Sequence, residues 1–255
     1  MTRGFEVDGS TVRYEVRGKV GPPLVLVHGW ACRRADWEEV IAHLGDRRVV
    51  AVDLPWHGES TGGRESWDIG AFAEVIAELV HREHLEAPIF VGHSMGGAVC
   101  VEAASRLGST VSRVVGIDAL TYLTVYPKQE DEAIRATIDA VRTDFAGAVR
   151  AMVEALFVDR DRPELIETVV AEMASIPKAP GIAALEGLMR WDLDAALLEL
   201  PVPVTTFAAR ALLDPEAVER YGDRVEIVPV EHGGHFYLRE RPRATAALIA
   251  DLGAA

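Results

Sequence analysis

The chain has 255 residues, 49% of them hydrophobic, and a formal net charge of −14. It carries only three lysines (Lys19, Lys128, Lys178) and no basic run, so it lacks the footprint with which a nucleic-acid binder displaces counterions. No uninterrupted apolar stretch of about 18 residues marks a membrane span. Two cysteines, Cys32 and Cys100, are too few for a disulfide framework, and Met1-Thr2-Arg3-Gly4-Phe5-Glu6 lacks the charged-then-apolar pattern of a secretory signal. The expectation is a soluble, cytoplasmic protein, with a homodimer left open.

In chain order, short strands are expected at Phe5–Val7 and Thr11–Arg17, joined across Asp8-Gly9. Leu24–Val27 is a continuous apolar run ending in His28-Gly29-Trp30, as suits a central parallel strand covered on both faces. A helical stretch, Trp37–Leu44, precedes a second run, Val49–Val52, which ends at Asp53. Residues 67–84 carry Ile69, Phe72, Ala73, Ile76, Leu79 and Val80 at helical spacing. A third run, Ile89–Val91, meets Gly92-His93-Ser94-Met95-Gly96-Gly97 and an alanine-rich helix. A fourth, Val111–Ile117, ends at Asp118. Strand–helix alternation of this kind predicts a parallel sheet with right-handed crossovers.

From about Thr121 to Leu200 only helical patterns occur: Glu130–Val141, Phe145–Phe157, Pro163–Met173, Ile182–Met189 and Leu193–Leu198. Alternation then resumes with Val202–Phe207, a helix from Asp214, the strand Val225–Val230, His235 and a last helix from Arg241. The expected division is therefore a core of residues 1–120 and 201–255, with residues 121–200 as a helical cap over the sheet's carboxyl edge. That edge is where open α/β sheets bind ligands.

Gly92-His93-Ser94-Met95-Gly96 is a Gly-x-Ser-x-Gly pentapeptide set directly between a strand and a helix. A nucleophilic serine has to stand on a sharp strand-to-helix turn, and small residues two before and two after it let strand and helix approach. The helix amino-terminus then offers N–H groups to a developing oxyanion. Taken alone, the pentapeptide also suits a serine that merely caps a helix. A serine hydroxyl is a weak nucleophile and needs an imidazole to take its proton. Of eight histidines, His235 alone follows the final strand through a glycine-rich turn, His232-Gly233-Gly234-His235-Phe236.

The order of elements, His28-Gly29-Trp30, Asp53-Leu54-Pro55-Trp56-His57-Gly58-Glu59-Ser60, Gly92–Gly97 and Gly233–Phe236 together resemble the α/β-hydrolase superfamily over nearly the whole chain. The resemblance implies an eight-stranded, mostly parallel sheet with a helical cap inserted after the sixth strand, and a nucleophile–acid–histidine triad. It assigns the oxyanion-binding N–H groups to Trp30 and Met95. Trp56 departs from the family, whose turn after the fourth strand usually carries glycine. The side chains of His28 and His57 read as loop-stabilising partners, and His93 as a packing residue.

The acid is a second departure. Most members carry it after the seventh strand as Gly-x-x-Asp, but those positions are Ala209 and Leu212 here. Asp214 lies two residues further on, though Asp214-Pro215-Glu216 reads as a helix start. Asp118, at the end of the sixth strand, is the preferred acid and Asp214 the reserve.

The leading expectation is a serine esterase: hydrolysis of a small, moderately hydrophobic carboxylic ester or lactone through an acyl-enzyme, with no cofactor and no metal. His81-x-x-His84 puts two imidazoles on one helix face, yet lacks a third ligand and reads as solvated. No Gly-x-Gly-x-x-Gly opens a helix for a dinucleotide. Fold does not fix function. A carbon–carbon bond hydrolase, a cofactor-free heteroaromatic dioxygenase and a ligand-binding receptor with slow turnover stay open.

Overall fold

The apolar runs pair edge to edge into one eight-stranded sheet in the computed structural model, which describes residues 2–64, 67–250 and 252. The strands are β1 (Thr2–Val7), β2 (Ser10–Arg17), β3 (Val20–Val27), β4 (Arg47–Asp53), β5 (Ile89–His93), β6 (Arg113–Ile117), β7 (Val204–Ala209) and β8 (Val225–Val230). Their spatial order is β1-β2-β4-β3-β5-β6-β7-β8. β1 and β2 pair antiparallel, as do β2 and β4, and every later pair is parallel. The β1–β2 turn has positive φ at both Asp8 (49°) and Gly9 (75°), the geometry a two-residue hairpin needs to match strand twist.

Alternation along the strands feeds two apolar layers. Leu24 and Leu26 face one side with Trp37, Val40 and Ile41 of the first helical segment, while Val25 and Val27 face the other with Phe72, Val75 and Ala98. The helices are α1 (Glu38–Ala42), α2 (Ile69–Arg82), α3 (Met95–Leu107), α4 (Asp131–Thr143), α5 (Phe145–Leu156), α6 (Pro163–Ala174), α7 (Lys178–Arg190), α8 (Leu193–Glu199), α9 (Pro215–Tyr221), α10 (Tyr237–Glu240) and α11 (Pro242–Ala250). Helices α4 to α8 all fall between β6 and β7.

Several boundaries differ from the sequence reading for local reasons. β3 starts at Val20, but its pairing with β4 jumps from Val20↔Arg47 to Leu24↔Val49. Three residues thus face one across the irregularity, which holds Pro22 and Pro23, residues without an N–H for the ladder. The stretch expected as one helix from Trp37 opens as a 3-10 turn, Arg34–Trp37, before α1. α7 begins at Lys178, earlier than Ile182, because Pro180 lies in the first turn, where a missing N–H removes no intrahelical bond.

Register positions the candidate site. Gly92 pairs with Gly116 and His93 with Ile117, so the next residues, Ser94 and Asp118, leave neighbouring strands at the same level. The Ser94 N–H still donates to Ile117 O at 3.3 Å, and the Asp118 N–H to Phe207 O at 2.8 Å.

Candidate active site

Ser94 sits alone between β5 and α3 with φ 52° and ψ −122°. A non-glycine residue held there is strained by its neighbours, a cost that gathers at functional sites. The glycines explain how the turn closes. A Cβ on Gly92 would stand 2.2 Å from Gly96 O, and one on Gly96 2.3 Å from Val27 O. Strand, helix and β3 therefore meet at backbone distance. The Ser94 side chain makes no capping bond to α3, so helix capping does not account for the serine. Met95 is the first residue of α3, and its N–H has no carbonyl one turn back within the helix to bond.

His235 and Asp118 come together across the sheet's carboxyl edge. The His235 Nδ1–H donates to Asp118 Oδ2 at 2.6 Å, with both side chains buried. Asp118 itself has φ 46°, a left-handed conformation that aspartate tolerates better than most residues. Its Oδ1 accepts the Ala209 N–H at 2.7 Å, and its Oδ2 also accepts the Tyr122 hydroxyl. Asp214, the reserve acid, is engaged elsewhere: it caps α9, accepting the Glu216 N–H at 2.9 Å. Leu212, at the family's usual acid position, packs half-buried against the core.

The His28-Gly29-Trp30 turn follows β3 and lies against the elbow. A Cβ on Gly29 would stand 2.9 Å from His93 Nδ1 and 3.1 Å from Ser94 Cβ, so the close approach requires glycine. The Trp30 indole N–H donates to Gly181 O at 2.7 Å, tying this turn to α7. Three other histidines, His28, His57 and His93, act through hydrogen bonds. His28 donates from Nδ1 to Gly29 O at 2.8 Å and accepts the Leu54 N–H on Nε2 at 3.0 Å; burial lowers it to about 4. His57 donates to Pro55 O at 2.9 Å and is lowered by burial to about 3. His93 donates from Nε2 to His235 O at 2.9 Å, and burial, then the neighbouring His235, holds it neutral. His81 and His84 are exposed.

Trp56 keeps the left-handed backbone that glycine would supply, with φ 66°. Its indole N–H donates to Arg64 O at 3.2 Å, and its ring covers Gly62, where a Cβ would fall 1.8 Å from it. The turn is thus retained by packing rather than by a permissive residue.

Ser94 and His235 open into a cavity of about 300 Å³ beneath the cap, walled by Met152, Leu156, Met173, Leu185 and Leu188. Among the described residues no Asp, Glu, Lys or Arg lines it. Three contacts to this cluster were not legible in the sequence. Tyr122 reaches the His235–Asp118 pair, the Tyr126 hydroxyl donates to Ser94 O at 3.2 Å, and Leu156 O accepts the His235 N–H at 2.9 Å. The only available signal was that two tyrosines follow closely on Asp118, while a helix-end carbonyl carries no side-chain signature at all.

A family model described as the alpha/beta hydrolase family matches residues 24–248. The chain is 31% identical over 222 residues to a pimeloyl-[acyl-carrier protein] methyl ester esterase of Methylococcus capsulatus, covering 84% of this chain and 80% of that protein. It is 27% identical over 250 residues to the dihydrolipoyllysine-residue acetyltransferase component of an acetoin cleaving system of Pseudomonas putida. That match covers 92% of this chain but only 64% of the relative, so the chain spans less than two-thirds of the relative's length. Among solved structures, an esterase from Exiguobacterium antarcticum superposes with a TM-score of 0.86 at 19% identity, covering 98% of this chain and 97% of that one. The matched span runs from the middle of β3 through β8, and with the strand order and cap as described the chain belongs to the alpha/beta hydrolase family.

Proposed function

We propose that the chain is a serine hydrolase that cleaves small, uncharged, apolar carboxylic esters or lactones through an acyl-enzyme. The observation that carries this reading is the strained Ser94 turn opening into the same cavity as His235, whose Nδ1–H is held by the Asp118 carboxylate. Ser94 Oγ attacks the ester carbonyl carbon while His235 Nε2 takes its proton. The tetrahedral oxyanion is met by the N–H groups of Trp30 and Met95. Collapse breaks the bond to the alcohol oxygen, which receives the proton from His235. Water then attacks the acyl-Ser94 with His235 again as base, and collapse breaks the bond to Ser94 Oγ, which takes that proton back from His235 as the acid leaves. A lactone follows the same course with its alcohol still tethered. Asp118 keeps the proton on Nδ1, which leaves Nε2 unprotonated to act as the base.

The substrate class follows from the walls of the cavity. Met152, Leu156, Leu185 and Leu188 offer burial to an acyl chain but no counter-ion to a carboxylate or an amine. A charged substrate would lose its hydration there without compensation. The test is a turnover screen of p-nitrophenyl esters and lactones beside Ser94→Ala: neutral acyl chains turned over by the parent and not by the variant support the reading. Equal rates in parent and variant, with contamination excluded, overturn it.

A further inference from the structure

Past β6 the chain runs through two left-handed residues, Asp118 (φ 46°) and Leu120 (φ 67°), and then turns at Tyr122. The Tyr122 carbonyl accepts the N–H groups of Val125 (2.9 Å) and Tyr126 (2.7 Å), closing a tight turn at the base of the cap. This returns the Tyr122 ring over His235: the ring centroids are 5.5 Å apart at 82°. The phenol donates to Asp118 Oδ2, and its oxygen lies 3.2 Å from His235 Nδ1. The Nδ1–H is thereby shared between a carboxylate oxygen at 2.6 Å and a phenol oxygen that is itself bonded to that carboxylate.

We propose that Tyr122 is a positioning residue for the His235–Asp118 pair, holding the carboxylate in place and sharing its charge. This rests on the reading of Ser94, Asp118 and His235 given above. Two features single the hydroxyl out. Asp118 Oδ1 is fixed by a backbone N–H from β7, so Oδ2 is the oxygen whose direction remains to be set, and among the described residues Tyr122 is the side chain besides His235 bonded to it. Tyr122 is also half-buried and lines the Ser94 cavity, so the same ring faces the substrate. Burial, and then the Asp118 charge, push its ionisation upward, so the phenol remains a donor through the working pH range.

The other titratable neighbours leave the pH signal readable. His93 on the elbow is held neutral by burial. Tyr126 and Tyr237 are raised by burial, and so is the Cys32 thiol across the cavity. Glu240 of α10 accepts the Gly234 N–H at 3.0 Å, next to His235, and burial raises it from the ordinary carboxylate range. Without the phenol, the whole carboxylate charge is available to a protonated His235. Protonation of the free enzyme then becomes easier, and the acid limb of reactivity moves to higher pH.

Tyr122→Phe, which removes only the oxygen, tests this in the full chain with a fluorophosphonate probe. Its labelling rate should fall about ten-fold at neutral pH, the scale of a lost hydrogen bond to a charged group. The acid limb should move to higher pH, and the low-field Nδ1 proton resonance of His235 should shift. With p-nitrophenyl butyrate the loss should appear in kcat and leave KM near the parent's. Replacing Tyr122 with 3-fluorotyrosine, a stronger donor of nearly the same shape, should move the limb the opposite way and keeps the test open if the phenylalanine variant fails to fold. An acid limb and an Nδ1 resonance unmoved in both variants overturn the proposal, whatever the rate. If only these are unmoved while Ser94→Ala is dead, the role of Tyr122 falls alone. If Ser94→Ala reacts like the parent, the site reading itself has failed.

Discussion

The Ala209 N–H, on the last residue of β7, donates to Asp118 Oδ1, on the first residue past β6, at 2.7 Å. The end of the strand after which most of the family carries its acid thus contributes a backbone donor to a carboxylate from the strand before it. His235, arriving after β8, reaches over the end of β7 to meet that carboxylate. The relation separates two aspartates by experiment. Asp118→Asn should lower kcat by orders of magnitude with the fold retained, because the amide can favour the wrong imidazole tautomer. Asp214→Ala should leave kcat intact and lower stability by about 1 kcal/mol, as for a lost helix N-cap. Steady-state kinetics and urea melts of both variants check this; the reverse outcome would transfer the acid to Asp214.

Ser94→Ala should lose about 10³-fold or more in kcat while melting with the parent. Intact-mass analysis after fluorophosphonate treatment should show one adduct on the parent, mapped to Ser94, and none on the variant.

Trp30 separates backbone from side chain. In the proposed mechanism its N–H holds the oxyanion, whereas its indole N–H bonds Gly181 O in α7. Trp30→Phe should therefore keep most of kcat, raise KM and cost about 1–2 kcal/mol of stability through the orphaned carbonyl and lost packing. A collapse of kcat with KM unchanged would show that the indole, and not the amide alone, serves the reaction.

Folding stability should decline as pH falls from about 6.5 toward 4. His28 and His57 are lowered in the folded state, to about 4 and about 3, because burial disfavours the imidazolium. Above the unfolded value of about 6.5 neither state binds the proton, so nothing is lost. Below it the unfolded chain binds protons that the folded chain refuses, and unfolding gains up to about 1.4 kcal/mol per pH unit per histidine. The loss continues until the folded values are reached. Urea melts across this window measure it, and a flat profile would mean that these rings are not buried in solution. Activity profiles in the same window need a parallel check that the protein remains folded.

Met152 is half-buried in the wall of the cavity. Met152→Trp should shorten the preferred acyl chain in a p-nitrophenyl ester series with little change in melting temperature. A lowered melting temperature with an unchanged chain-length profile would make this part of the cap structural only.

The sequence by itself determined what neighbouring residues decide. Apolar runs, their alternation and the break after Thr121 carried the strands, the helices and the position of the cap. The Ser94 turn was legible because its causes, Gly92 and Gly96, lie two residues away and exclude a Cβ within one local bend. Trp56 shows the limit even locally, since its left-handed backbone is held by packing on Gly62 and has no glycine to announce it. The tertiary structure alone decided what surrounds His235. Asp118 is 117 residues away in sequence, the Leu156 carbonyl and the Ala209 N–H reach the pair from two further segments, and the Tyr122 hydroxyl folds back from four residues past Asp118. Those contacts are set by the order and register of β5 to β8 and by the docking of the cap. They depend on which strands become neighbours, and no local pattern of side chains encodes that.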